Sequence, residues 1–235
     1  MALAMLVPQD MAAACADMTF ESASYSVCEV AADADLRLFL AGPAGPLRSF
    51  TAIDAMLDGT GERLAFAMNA GMYHYDLAPV GLYVENGREV TPLVTRDGPG
   101  NFGLLPNGVF CIAGRYLVIE SRSYAAEKPA CTFATQSGPM VLIKGKPHPR
   151  FLKNSDSLNI RNGVGVSADG SRAVFVISNT TVNFYDFARF FRDGLGLADA
   201  LYLDGSISRL YAPELGRHDG GFPMGPVVGL VVPKG

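Results

Sequence analysis

Ala173-Val174-Phe175-Val176-Ile177, then Asn183-Phe184-Tyr185-Asp186-Phe187-Ala188-Arg189-Phe190-Phe191-Arg192-Asp193-Gly194, then Leu201-Tyr202-Leu203-Asp204: this run of the chain sets the architecture. The first segment is an apolar run of strand length. Asn183 is placed to cap a helix over Phe184 to Asp193, with Phe184, Phe187, Ala188 and Phe191 on one face and Gly194 and Gly196 ending it. The third segment is again a strand, so the three read as a β-α-β crossover. Phenylalanines at helical spacing read as core rather than as ligand contacts.

Strands and hairpins dominate on either side. Tyr25 to Val30, Leu36 to Leu40, Leu64 to Met68, Pro139 to Ile143 and Val227 to Val232 are strand-like. Val80 to Val84 and Glu89 to Leu93 flank Asn86-Gly87, a strong hairpin signal. Val109 to Ile112 pairs with Tyr116 to Ile119 across Gly114, and Val164 to Ser167 with Ala173 to Ile177 across Asp169-Gly170. A second helix is expected over Phe50 to Leu57, capped by Thr51 and stopped by Gly59. The expected fold is α+β: a mixed, largely antiparallel twisted sheet with hairpins and a few helices packed on it, in a single domain.

Composition agrees. The chain has 235 residues, 49% hydrophobic and 18% charged, with a net charge of -4. That is long enough for one full core and too apolar for disorder. The negative balance and scattered Lys and Arg give no footprint for nucleic acid and no polybasic membrane patch. No apolar stretch is long enough for a membrane span. Residues 1–14 read as a signal-peptide remnant or flexible N-terminus, with Ala12-Ala13-Ala14 and Ala16 as the small residues signal peptidase prefers, though no positive n-region precedes them. The domain proper is 15–235. Lipid attachment at Cys15 is a weaker reading.

Four cysteines fall into two local pairs, Cys15 with Cys28 and Cys111 with Cys131. Two such pairs suit disulfides in an oxidising compartment, the first more strongly. Four reduced thiols in a cytosolic protein are the plain alternative. Together with the N-terminus, the pairs favour the periplasm or cell exterior.

Ligands tend to bind beyond the carboxyl ends of strands in helix-covered sheets. Leu64 to Met68 delivers Asn69, Val174 to Ile177 delivers Asn179, and Leu201 to Leu203 delivers Asp204. Val164 to Ser167 starts just after Arg161, so Asn69, Arg161, Asn179 and Asp204 are expected on one rim. An arginine there can clamp a phosphate or carboxylate, and an aspartate can be base, nucleophile or metal ligand. These residues are also ordinary turn formers, and Arg161 has Asp156 nearby as a plain partner. Gly98-Pro99-Gly100-Asn101-Phe102-Gly103 spells GxGxxG, but no helix follows, so it is no dinucleotide fingerprint. The isolated His74, His148 and His218 give no catalytic triad.

Several segments in order resemble the phosphodiester glycosidase family, in its small bacterial, exopolysaccharide-related branch. They are Met68-Asn69-Ala70-Gly71-Met72-Tyr73, Pro79-Val80-Gly81-Leu82, Gly98 to Phe102, and Pro106-Asn107-Gly108. Gln136-Ser137-Gly138-Pro139-Met140, Arg161-Asn162-Gly163-Val164-Gly165 and Leu203-Asp204-Gly205-Ser206-Ile207-Ser208 follow. Ala70 and Ser206 stand where the family commonly has glycine. The resemblance implies a glycosidase-type hydrolase that cleaves a sugar 1-phosphodiester, with a phosphate-linked carbohydrate as substrate. It implies Asp204, Arg161 and Asn69 as the catalytic group, with Arg161 on the phosphate. Gly71, Gln136, Ser137, Gly138, Asn162, Asn179, Gly205 and Ser206 would bind substrate. Glu120 and Asp156 are candidates for a second carboxylate. No cofactor is implied, since a divalent cation at Asp204 would have thin coordination. A non-catalytic polysaccharide-binding module using the same pocket is the alternative, weakened by the absence of Trp.

Overall fold

The computed structural model describes residues 13–204 and 207–235. The signal-like segment up to residue 12, and with it Gly205 and Ser206, lies outside the described residues. Three antiparallel sheets share one core. A seven-stranded sheet runs Ala13–Phe20, Ala23–Ala31, Arg172–Ser178, Asn162–Val166, Asp199–Asp204, Met140–Ile143, Lys146–Pro147 in spatial order. A five-stranded sheet runs Tyr116–Glu120, Gly108–Ile112, Phe133–Ser137, Tyr83–Glu85, Arg88–Thr91. The other five-stranded sheet runs Arg217–His218, Leu210–Ala212, Glu62–Asn69, Val227–Pro233, Leu36–Phe39. The α+β class is as expected, but the strands divide among these three sheets and a small Ala41–Gly42/Gly45–Pro46 hairpin instead of forming one sheet.

The inner faces meet at three rings, one from each sheet. Phe175 lies 5.3 Å from Phe66 and 5.6 Å from Phe110, centroid to centroid, and all three are buried. Each outer face is then covered by helix. Phe50, Ile53 and Leu57 of α1 (Phe50–Asp58) cover the Glu62–Asn69 sheet. Tyr124 of α2 (Ser121–Glu127) packs on the Gly108–Ile112 sheet. Phe187 and Ala188 of α3 (Phe184–Arg189) cover the seven-stranded sheet. Coverage on both faces explains why Ala173 to Ile177 is apolar at every position rather than alternating. Phe175 and Ile177 enter the shared core while Val174 and Val176 face α3.

The expected β-α-β unit is present with one strand between its arms. Arg172–Ser178 and Asp199–Asp204 run in the same direction, each antiparallel to Asn162–Val166. Two glycines on that middle strand let α3 close on the sheet. A Cβ on Gly163 would stand 3.2 Å from Phe187, and one on Gly165 would stand 2.9 Å from Phe191. The helix also departs from its expected form, for α3 passes at Phe190–Gly194 into a wider π turn. That turn buries two consecutive rings, with Phe190 stacked 3.9 Å from Tyr25 and Phe191 edge-on to Phe187. For α1, Ser49 and not Thr51 is the cap. Ser49 is extended and its Oγ accepts the Ala52 N–H (3.2 Å), whereas Thr51 is already helical. The short α2 had no periodic apolar signal.

The hairpin turns follow their sequences. Asn86 and Gly87 both have positive φ, as do Lys144 and Gly145, as mirror-image two-residue turns require. Both cysteine pairs form disulfides, Cys15–Cys28 between directly paired strand residues and Cys111–Cys131 across 20 residues. Cys15 is thereby committed to a disulfide. No described helix is long and apolar enough to cross a membrane.

The Cys111–Cys131 bridge ties the Gly108–Ile112 strand to the loop before Phe133. A double Cys111→Ala, Cys131→Ala variant is expected to lose about 3 kcal/mol through the freer unfolded chain. Calorimetry should show this as a fall in Tm of roughly 6–12 °C; an unchanged Tm would deny the bridge a stabilising role.

Candidate active site

The ends of three strands are drawn together by one buried side chain. Asn162 lies opposite Asp204 in the ladder, at a register shift between Asn162 and Gly163. Its Oδ1 accepts the Asp204 N–H (3.0 Å), while its Nδ2 donates to Asn69 Oδ1 (2.9 Å) and Asn69 O (3.1 Å). Asn69 Oδ1 also accepts the Arg209 N–H at 2.9 Å. Both asparagines are fully buried, so the seven-stranded sheet and the Glu62–Asn69 sheet are joined at this end through carboxamides. Asn69 Nδ2 is left as a buried donor without a partner among the described residues. Ser137 Oγ donates to Leu203 O (2.6 Å), which pins the strand just before Asp204.

Asp204 opens onto a cleft of about 550 Å³. Met72, Tyr73 and Val80 form one wall, and Pro99, Gly100, Asn101 and Phe102 the other, with Ile207 beside Asp204. The second wall is the GxGxxG-like stretch, which is a turn-rich loop with Gly100 at φ +68, as its lack of a following helix indicates. A Cβ on Gly81 would stand 2.7 Å from the Phe102 ring, so that glycine sets how closely the walls approach. Among the described residues no three or more His, Cys, Asp or Glu side chains converge as a metal site needs.

Two phenols feel the Asp204 charge. Burial, with Asp204 adding, pushes the Tyr73 hydroxyl up to about 12, and Arg209 pulls the other way. Burial also raises Tyr202 to about 12, with Arg161 opposing and Asp204 adding. Both therefore stay protonated near neutral pH and act as donors, not bases. Tyr73 donates to Pro223 O at 2.9 Å.

Arg161 stands behind this arrangement. It is 1% exposed, with its guanidinium carbon 3.6 Å from the centre of the Phe184 ring. Nε donates to Val182 O (2.9 Å), Nη2 to Ser157 O (2.8 Å) and Nη1 to the Tyr202 hydroxyl (3.4 Å). Burial draws its pKa below the ordinary arginine value, with Tyr202 opposing. Carbonyl oxygens and ring faces, rather than Asp156, surround the cation.

The remaining expected residues fall into distinct places. Gln136 holds the chain behind the cleft, its Oε1 accepting the N–H groups of Leu82 and Val94 (both 3.0 Å) and its Nε2 donating to Ser121 Oγ (2.9 Å). Gly71 and Gly138 are close approaches, where a Cβ would stand 2.7 Å from Thr135 Oγ1 and 2.5 Å from Asn107 Cβ. Asn179 belongs to another cluster, donating to Ser26 Oγ (3.1 Å) and accepting from Arg217 Nη1 (2.6 Å). Glu120 caps α2 by accepting the Arg122 and Ser123 N–H groups (both 3.0 Å), and Asp156 lies exposed in a loop. The structure thus joins Asn69, Asn162 and Asp204 directly, with Arg161 next in sequence behind them. Sequence reasoning passed over Tyr73 and Phe102 as cleft walls and Arg209 as a neighbour of Asn69. Tyr73 and Phe102 lay inside the quoted motifs, whereas Arg209, five residues past Asp204, carried no local signal.

Asn162→Ala would leave the Asp204 N–H without its buried acceptor and separate the two sheet ends. A loss of about 2 kcal/mol is expected, in the range for orphaned buried polar groups. Urea unfolding measures it; an unchanged midpoint would remove Asn162 as the brace.

Comparison with known proteins bears on the family and the fold. Residues 62–222 match the phosphodiester glycosidase family. A stretch of 149 residues, 63% of the chain, is 42% identical to YigE of Escherichia coli, an uncharacterised protein of which the match covers 58%. The catalytic domain of zebrafish N-acetylglucosamine-1-phosphodiester alpha-N-acetylglucosaminidase, auto-inhibited by its pro-peptide, superposes with a TM-score of 0.65 at 14% identity, over 95% of this chain and 85% of that one. A Burkholderia pseudomallei protein described as exported superposes with a TM-score of 0.60 at 12% identity, over 88% and 74% of the two chains. These two likenesses establish the fold. With the match over residues 62–222 covering well over half of its length, the chain belongs to the phosphodiester glycosidase family.

Proposed function

We propose that the protein hydrolyses a sugar 1-phosphodiester, releasing the sugar from a phosphate-linked aglycone in the bacterial envelope, either in the periplasm or after secretion. The observation that carries this reading is Asp204, a carboxylate opening onto a largely apolar cleft and held at its backbone by a buried asparagine pair. Water attacks the anomeric carbon as the bond from that carbon to the phosphate oxygen breaks. The water proton passes to Asp204, and the bonding electrons leave with the phosphate, giving a free sugar and a phosphate monoester. Such a leaving group has little need of the general acid that ordinary glycosidases supply, which fits one carboxylate among the described residues lining the cleft. Asp204 also stabilises the positive charge that develops on the sugar ring.

The other residues take supporting parts. Asn69 keeps one amide donor unpartnered beside the site, suited to a sugar hydroxyl. Arg161 acts from behind Tyr202 as a fixed positive charge, its donors held by protein oxygens. No resident cofactor enters these steps. Two disulfides support an oxidising compartment. A second reading, an envelope polysaccharide-binding module without turnover, is favoured by the Tyr73 and Phe102 rings that line the cleft.

A panel of sugar 1-phosphodiesters separates the two. Asp204→Asn is expected to lower kcat/KM by about 10²–10⁴-fold, the usual worth of a general base. Turnover equal to wild type would overturn the assignment of Asp204. Glycan affinity without turnover on any substrate would establish the binding module.

A further inference from the structure

Arg209 is nine-tenths buried and, among the described residues, forms no ion pair. The other well-ordered arginine pairs lie on more exposed side chains, such as Arg217 with Asp219 and Arg37 with Glu62. Arg161 is buried too, but oxygen acceptors meet its Nε, Nη1 and Nη2. Arg209 has one such acceptor, with Nη1 donating to Phe222 O. A guanidinium carries five N–H donors, and burying one with so little compensation is costly unless an anion completes it.

Its place is fixed with care. The Arg209 N–H is held by Asn69 Oδ1, which ties it to the Asp204 brace. Its Nη2 lies beneath Gly221, where a Cβ would stand 2.6 Å away and where φ is +128, so the position suits glycine on both counts. The Phe222–Pro223 segment accepts from Arg209 through one carbonyl and from the Tyr73 hydroxyl through the next. The guanidinium is thereby set against the same Phe222–Pro223 segment that Tyr73, a lining residue of the cleft, bonds to, and Tyr73 feels both its charge and that of Asp204.

We propose that Arg209 is the anion-recognition residue beside this cleft and binds the phosphate group of the substrate. The inference rests on the reaction proposed above for the identity of its anion. A planar fork of donors suits two phosphate oxygens at once. On this assignment Arg209 selects anionic aglycones and steadies the charge that grows on the departing phosphate, while Asp204 serves the sugar side.

Equilibrium binding tests it without turnover, using inorganic phosphate and α-D-glucose 1-phosphate as calorimetric probes. Arg209→Gln is expected to weaken both by about tenfold or more, as for loss of a charge-assisted hydrogen bond. Arg209→Lys, which keeps the charge but not the fork, should fall between, and Arg192→Gln at the exposed end of the α3 region should bind as wild type. In the wild-type protein, phosphate should also shift the Arg209 Nε–H NMR resonance, a readout that needs no variant to fold. Failure of wild type to bind either probe, or equal binding by Arg209→Gln, would overturn the proposal. Phosphate binding at Arg209 without hydrolysis of any phosphodiester would instead overturn the reaction and leave the anion site standing.

Discussion

The Asn162 carboxamide is the constraint on which the site depends. Its two ends bond in opposite senses, accepting from the Asp204 backbone and donating to Asn69, and both partners come from different sheets. Neither sheet could present this edge alone. A buried amide left unpaired costs about as much as the bond it would make, so the two sheet ends are held in one register. Aspartate at 162 would place an acceptor against the two oxygens of Asn69 that now accept from it.

The shared core makes that junction feasible. With Phe66, Phe110 and Phe175 meeting at the centre, apolar contact holds each sheet relative to the others alongside the polar junction. The helices then seal the outer faces, and Gly163 and Gly165 admit the α3 rings to close range. Non-directional burial supplies most of the driving force, and the asparagine pair supplies the directional part. A cleft with an apolar wall on either side and one carboxylate beside it is the product of both.

Charge is distributed around the cleft in depth. Asp204 and Arg209 both act on Tyr73, and Asp204 and Arg161 both act on Tyr202, so each phenol feels charges of both signs. Low surrounding polarity strengthens such interactions over their value in water. On the proposed reaction, the opposite charges acting on Tyr73 would serve a substrate that carries negative charge at one end and develops positive charge at the other.

Local chemistry alone determined much of this protein. The apolar runs at 173–177 and 201–203, the Asn183 cap, the Asn86-Gly87 turn and the ordered family motifs are all properties of neighbouring residues, and they held. The strand ends marked Asn69 and Asp204, because polar residues that end apolar strands stand out against them, and the family motifs marked Asn162. Tertiary structure alone decided the division into three large sheets, the π turn that buries Phe190 and Phe191, and the partners of Arg161. It also separated Asn179 from the cleft and brought Arg209 to Asn69. The reason is physical: strand identity and capping depend on residues a few positions apart, whereas the direction of a long side chain depends on which distant carbonyls and rings remain to receive it once the sheets have packed.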